Sequence, residues 1–327
     1  MSPTEPKSDV PAIPDHVLVR VIGSGAYGDV WLGRTILGTA RAIKVIRRSS
    51  FERDQPYLRE FEGVRRYEPV SRSSPSLVPI LQVGRDEAAG FFYSVMELAD
   101  AAAPRQPAMP DGVPPWPASE AQYEARTLRT DLVRQGRLSI ADCVEVGLAM
   151  AEALQALHGA GLVHRDIKPS NIIYLRGRAC LADVGLVSEA RESSSCVGTA
   201  GYMAPEGPGL PPSDLYSLGM VLYEISTGLR LADYPSTPPQ WADPGHGVEW
   251  EFHEIVLRLG ARNPARRHRD ATELRDELLL LRGGRSVRRL RVRERRKRIL
   301  LQAAIAAVAV GVLGWGMAVA QQGRRRE

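Results

Sequence analysis

Along residues 16–22 (HVLVRVI) and 29–36 (DVWLGRTI) apolar and polar positions tend to alternate, and a period of two buries one face of a β-strand. The glycine-bearing stretch between them makes the pair a predicted hairpin. A third strand is expected over 39–46, and two more over 78–83 and 91–98. Between these the period lengthens. Leu58, Phe61, Val64 and Arg65 follow Pro56 at turn spacing, which predicts a helix over 56–68 with proline in its tolerated first position. Six prolines (104, 107, 110, 114, 115 and 117) within residues 99–119 then exclude a regular element, so this stretch reads as a surface insertion. Beyond it Val144, Leu148, Ala151, Leu154 and Leu157 recur at three- and four-residue steps and predict a helix over 140–159, stopping at Gly159. Further helices are expected over 214–228, 248–261 and 270–281. The pattern is α+β: a small β-rich lobe with one helix precedes a larger helical lobe, and there is no internal repeat.

At 327 residues, 44% hydrophobic and 25% charged, the chain has the make-up of a globular protein. Cys143, Cys180 and Cys196 are odd in number, widely spaced and never paired as Cys-x-x-Cys. That points away from a disulfide framework or zinc site and toward a reducing compartment. The net charge of +5 is unevenly held: residues 285–298 carry nine Lys or Arg against one Glu, and 324–327 carry three Arg and one Glu, which leaves −5 elsewhere. A mildly acidic globular part has no electrostatic footing for nucleic-acid binding.

Residues 1–15 are charged and proline-rich, without the apolar run of a signal peptide, and read as a solvated leader. Residues 299–320 are 22 uncharged residues, about 33 Å as a helix and long enough for a bilayer core. Apolar character on nearly every face and flanking Arg clusters favour a single membrane span over a buried terminal helix. Nine cations before the span and three after it predict a cytoplasmic amino-terminal part, with 285–298 against anionic lipid headgroups. Ala307 and Gly311, four apart, permit close helix packing and hence a homodimer.

The stretch His164-Arg165-Asp166-Ile167-Lys168-Pro169-Ser170-Asn171, followed twelve residues later by Asp183-Val184-Gly185, gathers the parts of a phosphoryl-transfer centre. It offers an acid to orient a hydroxyl, a lysine to neutralise phosphate, and an asparagine and aspartate to hold magnesium. Gly23-Ser24-Gly25-Ala26-Tyr27-Gly28 lies between two strands, not between a strand and a helix, which argues against a dinucleotide-binding turn. It reads either as a tight hairpin turn or as a loop whose backbone amides approach phosphates. Lys44 is a cation in an apolar strand and needs a partner. Glu60 on the next helix is expected to supply it, Glu62 being out of phase; an edge-strand lysine is the alternative.

Together these motifs, in this order over about residues 16–283, resemble the eukaryotic-type serine/threonine protein kinases that bacteria carry. The resemblance implies a bilobal fold, with a five-stranded amino-terminal lobe bearing one helix and a mainly helical carboxy-terminal lobe. It implies ATP as substrate and Mg2+ as cofactor, with proteins as acceptors. Gly23, Gly25 and Gly28 then cover the phosphates, Val30 and Ala42 line the adenine pocket, and Lys44, paired to Glu60, grips the α- and β-phosphates. Met96 takes the gatekeeper position, and Glu97 and Leu98 offer hinge backbone to adenine. Asp166 and Lys168 are the implied catalytic residues, and Asn171 and Asp183 the implied magnesium ligands. Lysine two residues after Asp166 favours Ser or Thr over Tyr as acceptor. Arg165 is implied to pair with a phosphorylated activation loop in which Ser193, Ser194 and Ser195 are candidate sites; a flexible polar loop explains the same serines. Thr199, in that loop too, is expected to contact Asp166 and is the least favoured phosphosite. Glu206 is expected to pair with Arg267, Asp214 to hold the catalytic-loop backbone, and His164 to be a packed core side chain and not a base.

Two features depart from the family pattern. Val184 stands where a phenylalanine is usual and is too small for that slot against Val64 and His164, which predicts looser control without loss of catalysis. The proline-rich insertion near the hinge reads as a passive loop or as a polyproline docking segment. The expected organisation is a leader (1–15), an amino-terminal lobe (16–98), the insertion (99–119), a carboxy-terminal lobe (120–283), a basic juxtamembrane segment (284–298), the span (299–320) and a tail (321–327). Two other functions fit parts of the chain: a pseudokinase acting as a membrane-tethered scaffold, and a kinase of small molecules. The retained Lys44, Glu60, Asp166, Lys168, Asn171 and Asp183 argue against the first, and Ala204-Pro205-Glu206 with Gly198-Thr199 against the second.

Overall fold

The computed structural model describes residues 10–25, 28–102, 122–183, 188–189, 199–242 and 247–287. The chain divides into two units, Met1–Leu279 and Leu280–Glu327.

In the first unit β1 (His16–Gly25), β2 (Gly28–Thr35), β3 (Ala40–Arg47), β4 (Ile80–Asp86) and β5 (Phe91–Glu97) form an antiparallel sheet in the order β1-β2-β3-β5-β4. Each of the five expected runs holds a strand, and β4 sits later than read, at 80–86 against 78–83. Register decides what faces what. Lys44 lies opposite Val30 and Ser94, and Ala42 opposite Leu32 and Met96. Opposed residues share a face, so Val30, Ala42, Lys44 and Met96 line one side of the sheet. Ile43, Val45, Tyr93 and Val95 line the other, where they cluster with Ile13, Leu18, Trp31 and Phe91.

Helix α1 (Asp54–Ser71) packs on the Lys44 face, with the Tyr57 and Phe61 rings 5.3 and 5.2 Å from Phe92. It begins two residues before the predicted start, and Pro56 still falls in the first turn, where N–H groups have no intrahelical partner. Its buried stripe is Tyr57, Val64 and Tyr67, and Leu58 is 48% exposed, a rotation from the face read from sequence. Glu62 spends its charge along the helix on Arg65 and Arg66, at 3.0 and 2.9 Å, as its phase required.

The larger lobe holds α2 (Leu128–Gln135), α3 (Ile140–Gly159), α4 (Pro211–Thr227), α5 (Gly247–Leu259) and α6 (Ala271–Arg282). The last four match the helical periods closely. Helix α2 escaped them, because eight residues are too few for a periodic signal. Its sequence signal is a capping pair: Thr127 and Thr130 each accept the other's backbone N–H at 3.0 Å. Helix α4 is buried along nearly its whole length, and a Cβ on Gly219 would fall 2.6 Å from the Leu259 Cβ, so glycine there lets α5 approach.

Short strands carry the loops between lobes. β6 (Leu162–Val163) pairs with β9 (Ser188–Glu189), and β7 (Ile172–Leu175) with β8 (Arg178–Leu181). The β7–β8 hairpin was not predicted. Residues 99–102 of the expected insertion are held by it and by the chain after the insertion: Asp100 donates its N–H to Tyr174 at 2.8 Å, and Ala102 to Glu124 at 2.8 Å. Residues 103–121 lie outside the described residues.

In the second unit the described part closes α6, with Gly284 (φ 67) donating to the Leu281 carbonyl and Arg285 to the Leu280 carbonyl. No helix among the described residues is long and apolar enough to cross a membrane, and 299–320 lie outside them.

Candidate active site

After β6 the chain leaves extended geometry at Arg165, a non-glycine residue in the left-handed region (φ 71). Such a conformation costs on the order of 1 kcal/mol and persists only where surroundings hold it. Asp214, fully buried near the start of α4, does the holding: its carboxylate accepts from the His164 and Arg165 N–H groups, both at 2.9 Å. His158 Nε2 completes the set at 2.9 Å from Asp214 Oδ2. Burial by itself pushes the Asp214 carboxyl up, but the His158 hydrogen bond and charge and the His164 contacts outweigh it and hold the group below its ordinary range. Sequence reading found Asp214 and missed His158, whose residue type alone carries no signal for the role. His164 is buried, with Nε2 2.9 Å from the Ala182 carbonyl, a packing position and not a base.

The loop so fixed presents Asp166 and Lys168 to one another. Lys168 Nζ lies 2.7 Å from Asp166 Oδ2 and donates to Thr199 Oγ1 at 3.0 Å, while the Thr199 hydroxyl donates to Asp166 Oδ1 at 2.8 Å. Asn171 closes the group from a 3-10 turn led by Pro169, its Nδ2 donating to the Asp166 carbonyl at 2.8 Å and to Oδ2 at 3.0 Å. Residues spread over 34 positions thus converge on one carboxylate, an arrangement able to take a hydroxyl proton beside a positive charge.

Lys44 forms its ion pair with Asp183, not with Glu60, which corrects the expected pairing. Glu60 Oε2 is buried without a hydrogen-bond partner. Burial pushes the Glu60 carboxyl up to about 8; the Lys44 charge works against that, and the Asp183 charge adds to it. Asp183 is left-handed too (φ 65), its preceding residue anchored by His164 and, through a 2.8 Å bond from the Ala182 N–H, by the Asn171 carbonyl.

As for magnesium, the Asn171 amide gives its nitrogen to Asp166, so its carbonyl oxygen is the atom available to a cation, and Asp183 offers a carboxylate whose side chain is 43% exposed. No group of three or more His, Cys, Asp or Glu gathers among the described residues as a ready-made cage. Two oxygen donors of this kind fit Mg2+, which keeps much of its shell for substrate phosphates and water.

On the sheet face above, Gly23 lies opposite Val30 and Gly25 opposite Gly28, so the glycine loop continues the β1–β2 hairpin; Ala26 and Tyr27 lie outside the described residues. Gly28 (φ 158) is required sterically, since a Cβ there would fall 2.0 Å from the Val45 carbonyl oxygen. Met96 is buried at the end of β5 beside Ala42, and Leu98 follows half-buried. The Glu97 side chain pairs with Arg176 at 2.9 Å. Val184, Gly185 and Ser193 to Ser195 lie outside the described residues, so the substitution at 184 and the serine sites are not placed. The Arg267 guanidinium, with no exposed side-chain surface, grips both Glu206 oxygens (2.5 and 2.8 Å) and stacks over Tyr216 at 4.9 Å, as expected of the scaffold.

The chain is 31% identical over 294 aligned positions to serine/threonine-protein kinase PknA of Mycobacterium tuberculosis, covering 82% of this chain and 61% of that protein. It is 30% identical over 297 to serine/threonine-protein kinase PknB of Mycobacterium leprae (82% and 43%), and 31% over 286 to PknL of Mycobacterium tuberculosis (80% and 64%). The chain therefore spans less than two thirds of the length of these relatives. The family model described as protein kinase domain matches residues 16–240, from the start of β1 through α4 with the whole Asp166 centre, and the chain belongs to that family.

Proposed function

We propose that this protein transfers the γ-phosphate of ATP to Ser or Thr hydroxyls of protein substrates. The convergence of Lys168, Thr199 and Asn171 on Asp166 is the observation that carries the reading. Asp166 orients the acceptor hydroxyl and takes its proton as the oxygen bonds to phosphorus and the bond from phosphorus to the ADP oxygen breaks. Lys168 offsets charge on the transferring group, Lys44 holds the α- and β-phosphates, and Asn171 and Asp183 hold magnesium. When bound, that ion neutralises charge developing on the phosphate oxygens. Val30, Ala42 and Met96 line the adenine site, with backbone of Glu97 and Leu98 at its edge. Arg165 pairs with phosphate placed by autophosphorylation in the 193–195 region.

The test is incorporation of labelled phosphate from Mg·ATP into a generic protein substrate by the full chain, beside Asp166→Asn and Lys44→Ala. Loss of incorporation in both variants is expected. Equal incorporation by wild type and variants would overturn the reading. One observation favours the scaffold alternative: Lys44 is engaged by Asp183 and leaves Glu60 without an ion pair. Nucleotide binding with no incorporation under any condition would establish that alternative.

We further propose that 299–320 anchors the protein in a membrane with the kinase domain cytoplasmic, 285–298 on anionic headgroups and the span able to pair in a homodimer. The charge pattern supports this reading. Extraction of the full chain by alkaline carbonate would overturn the anchor, and crosslinking in membranes that yields monomer alone would overturn the dimer.

A further inference from the structure

The β7–β8 hairpin links two parts of the site that are distant in sequence. Its first strand starts one residue after Asn171, its second ends two residues before Asp183, and the 2.8 Å bond from the Ala182 N–H to the Asn171 carbonyl ties the two ends. The two oxygen donors assigned to magnesium thus stand at the open end of the hairpin. At its closed end the chain turns through Arg176 and Gly177, both left-handed (φ 52 and 77). Successive N–H groups in such a turn converge into a cradle for an anion.

The anion is the Asp100 carboxylate. Oδ1 accepts from the Arg176 N–H at 2.8 Å and Oδ2 from the Gly177 N–H at 2.7 Å. Asp100 lies two residues beyond Leu98, and its own backbone is fixed as well: its N–H donates to the Tyr174 carbonyl at 2.8 Å, and its carbonyl accepts from the Arg126 N–H at 2.7 Å. The Arg176 side chain, by contrast, is 84% exposed where it meets Glu97, and an ion pair that open to water contributes little.

We infer that Asp100 is a positioning residue. It locks the β7–β8 turn to the hinge and so fixes the spacing between the backbone that holds adenine and the Asn171 and Asp183 oxygens that hold magnesium. The inference rests on the kinase reading above and adds to it a residue outside the ligand shell. The link runs through backbone amides, which the Arg176 guanidinium does not supply.

The experiment is calorimetry of ATP binding to the full chain with magnesium and with chelator, for wild type, Asp100→Ala and Arg176→Gly, together with amide hydrogen exchange at residues 176 and 177 in nucleotide-free protein. Glycine at 176 keeps the left-handed turn and removes only the guanidinium. Asp100→Ala is expected to speed exchange at the turn, to leave metal-free ATP binding unchanged and to cut the gain in affinity from magnesium about tenfold, the low end for loss of outer-shell support. Arg176→Gly is expected to keep the gain. An unchanged gain in Asp100→Ala, an equal loss with and without magnesium, or a matching loss in Arg176→Gly overturns the inference. Wild-type protein that binds no ATP overturns the kinase reading first, a result distinct from those three.

Discussion

Lys44 on β3 is bonded to Asp183, which follows β8, while Glu60 on α1 lies close enough to feel both charges and pairs with neither. One cation thus stands between two carboxyl groups, and burial decides which of them stays ionised. Asp183 is the more exposed and is the one bonded to Lys44; Glu60, with an oxygen sealed from water, is pushed by burial toward its protonated form.

That competition predicts a pH dependence in nucleotide-free protein. Glu60 has an ordinary value of 4.5 when unfolded and about 8 when folded, so between those values the folded chain holds a proton that the unfolded chain has released. Stability is full below the lower value and falls as pH rises toward the upper one. Glu60→Gln has no proton to lose and should flatten the slope, gaining on the order of 3 kcal/mol over wild type between pH 5 and pH 8. Thermal melts at the two pH values check this, and parallel wild-type and variant curves refute it.

Thr199 joins Asp166 to Lys168 through one hydroxyl, donating to the first and accepting from the second. Thr199→Ser keeps that hydroxyl and should keep kcat within a few-fold, whereas Thr199→Ala should lower kcat about tenfold at unchanged stability. Steady-state kinetics with melting curves distinguish the two. The same bonds make Thr199 a poor phosphate acceptor in this arrangement.

Both Asp214 oxygens are committed to the backbone of the catalytic loop. Asparagine would set an NH2 against one of two N–H donors, so Asp214→Asn should cost about 3 kcal/mol by urea unfolding. Because the folded carboxyl titrates below its ordinary 3.8, its stabilisation is full above that value and lost only as pH falls below it. A variant as stable as wild type at pH 7 would contradict the anchoring role.

Gly25 and Gly28 look alike in sequence and differ in space. A Cβ at Gly28 meets the Val45 carbonyl oxygen at 2.0 Å, while one at Gly25 has as its nearest neighbour the Gly28 carbonyl oxygen at 3.8 Å. Gly28→Ala should destabilise by about 1–3 kcal/mol and Gly25→Ala by less than about 0.5. Chemical denaturation of both variants tests the ordering.

The sequence by itself determined the sheet, the long helices and most of the centre, because each rests on local regularity. Alternation reports a half-buried strand, three- and four-residue steps report a helix, and the run from His164 to Asn171 keeps its reacting groups within eight residues. Asp214 and the bond between Glu206 and Arg267 were legible only through the family resemblance. Helix α2 and the β7–β8 hairpin were missed because their signals are single contacts, a threonine pair and a two-residue turn, too short to make a period. Tertiary structure alone decided the pairing of Lys44. Place on the next helix and helical phase favoured Glu60, but the choice depends on which carboxyl keeps contact with water, and solvation is a property of the packed molecule, not of spacing. The same holds for His158 on Asp214 and Asp100 on the hairpin turn: each is an ordinary polar residue in the sequence, and each becomes specific only when folding brings unpaired backbone N–H groups, or a buried carboxylate, within 3 Å.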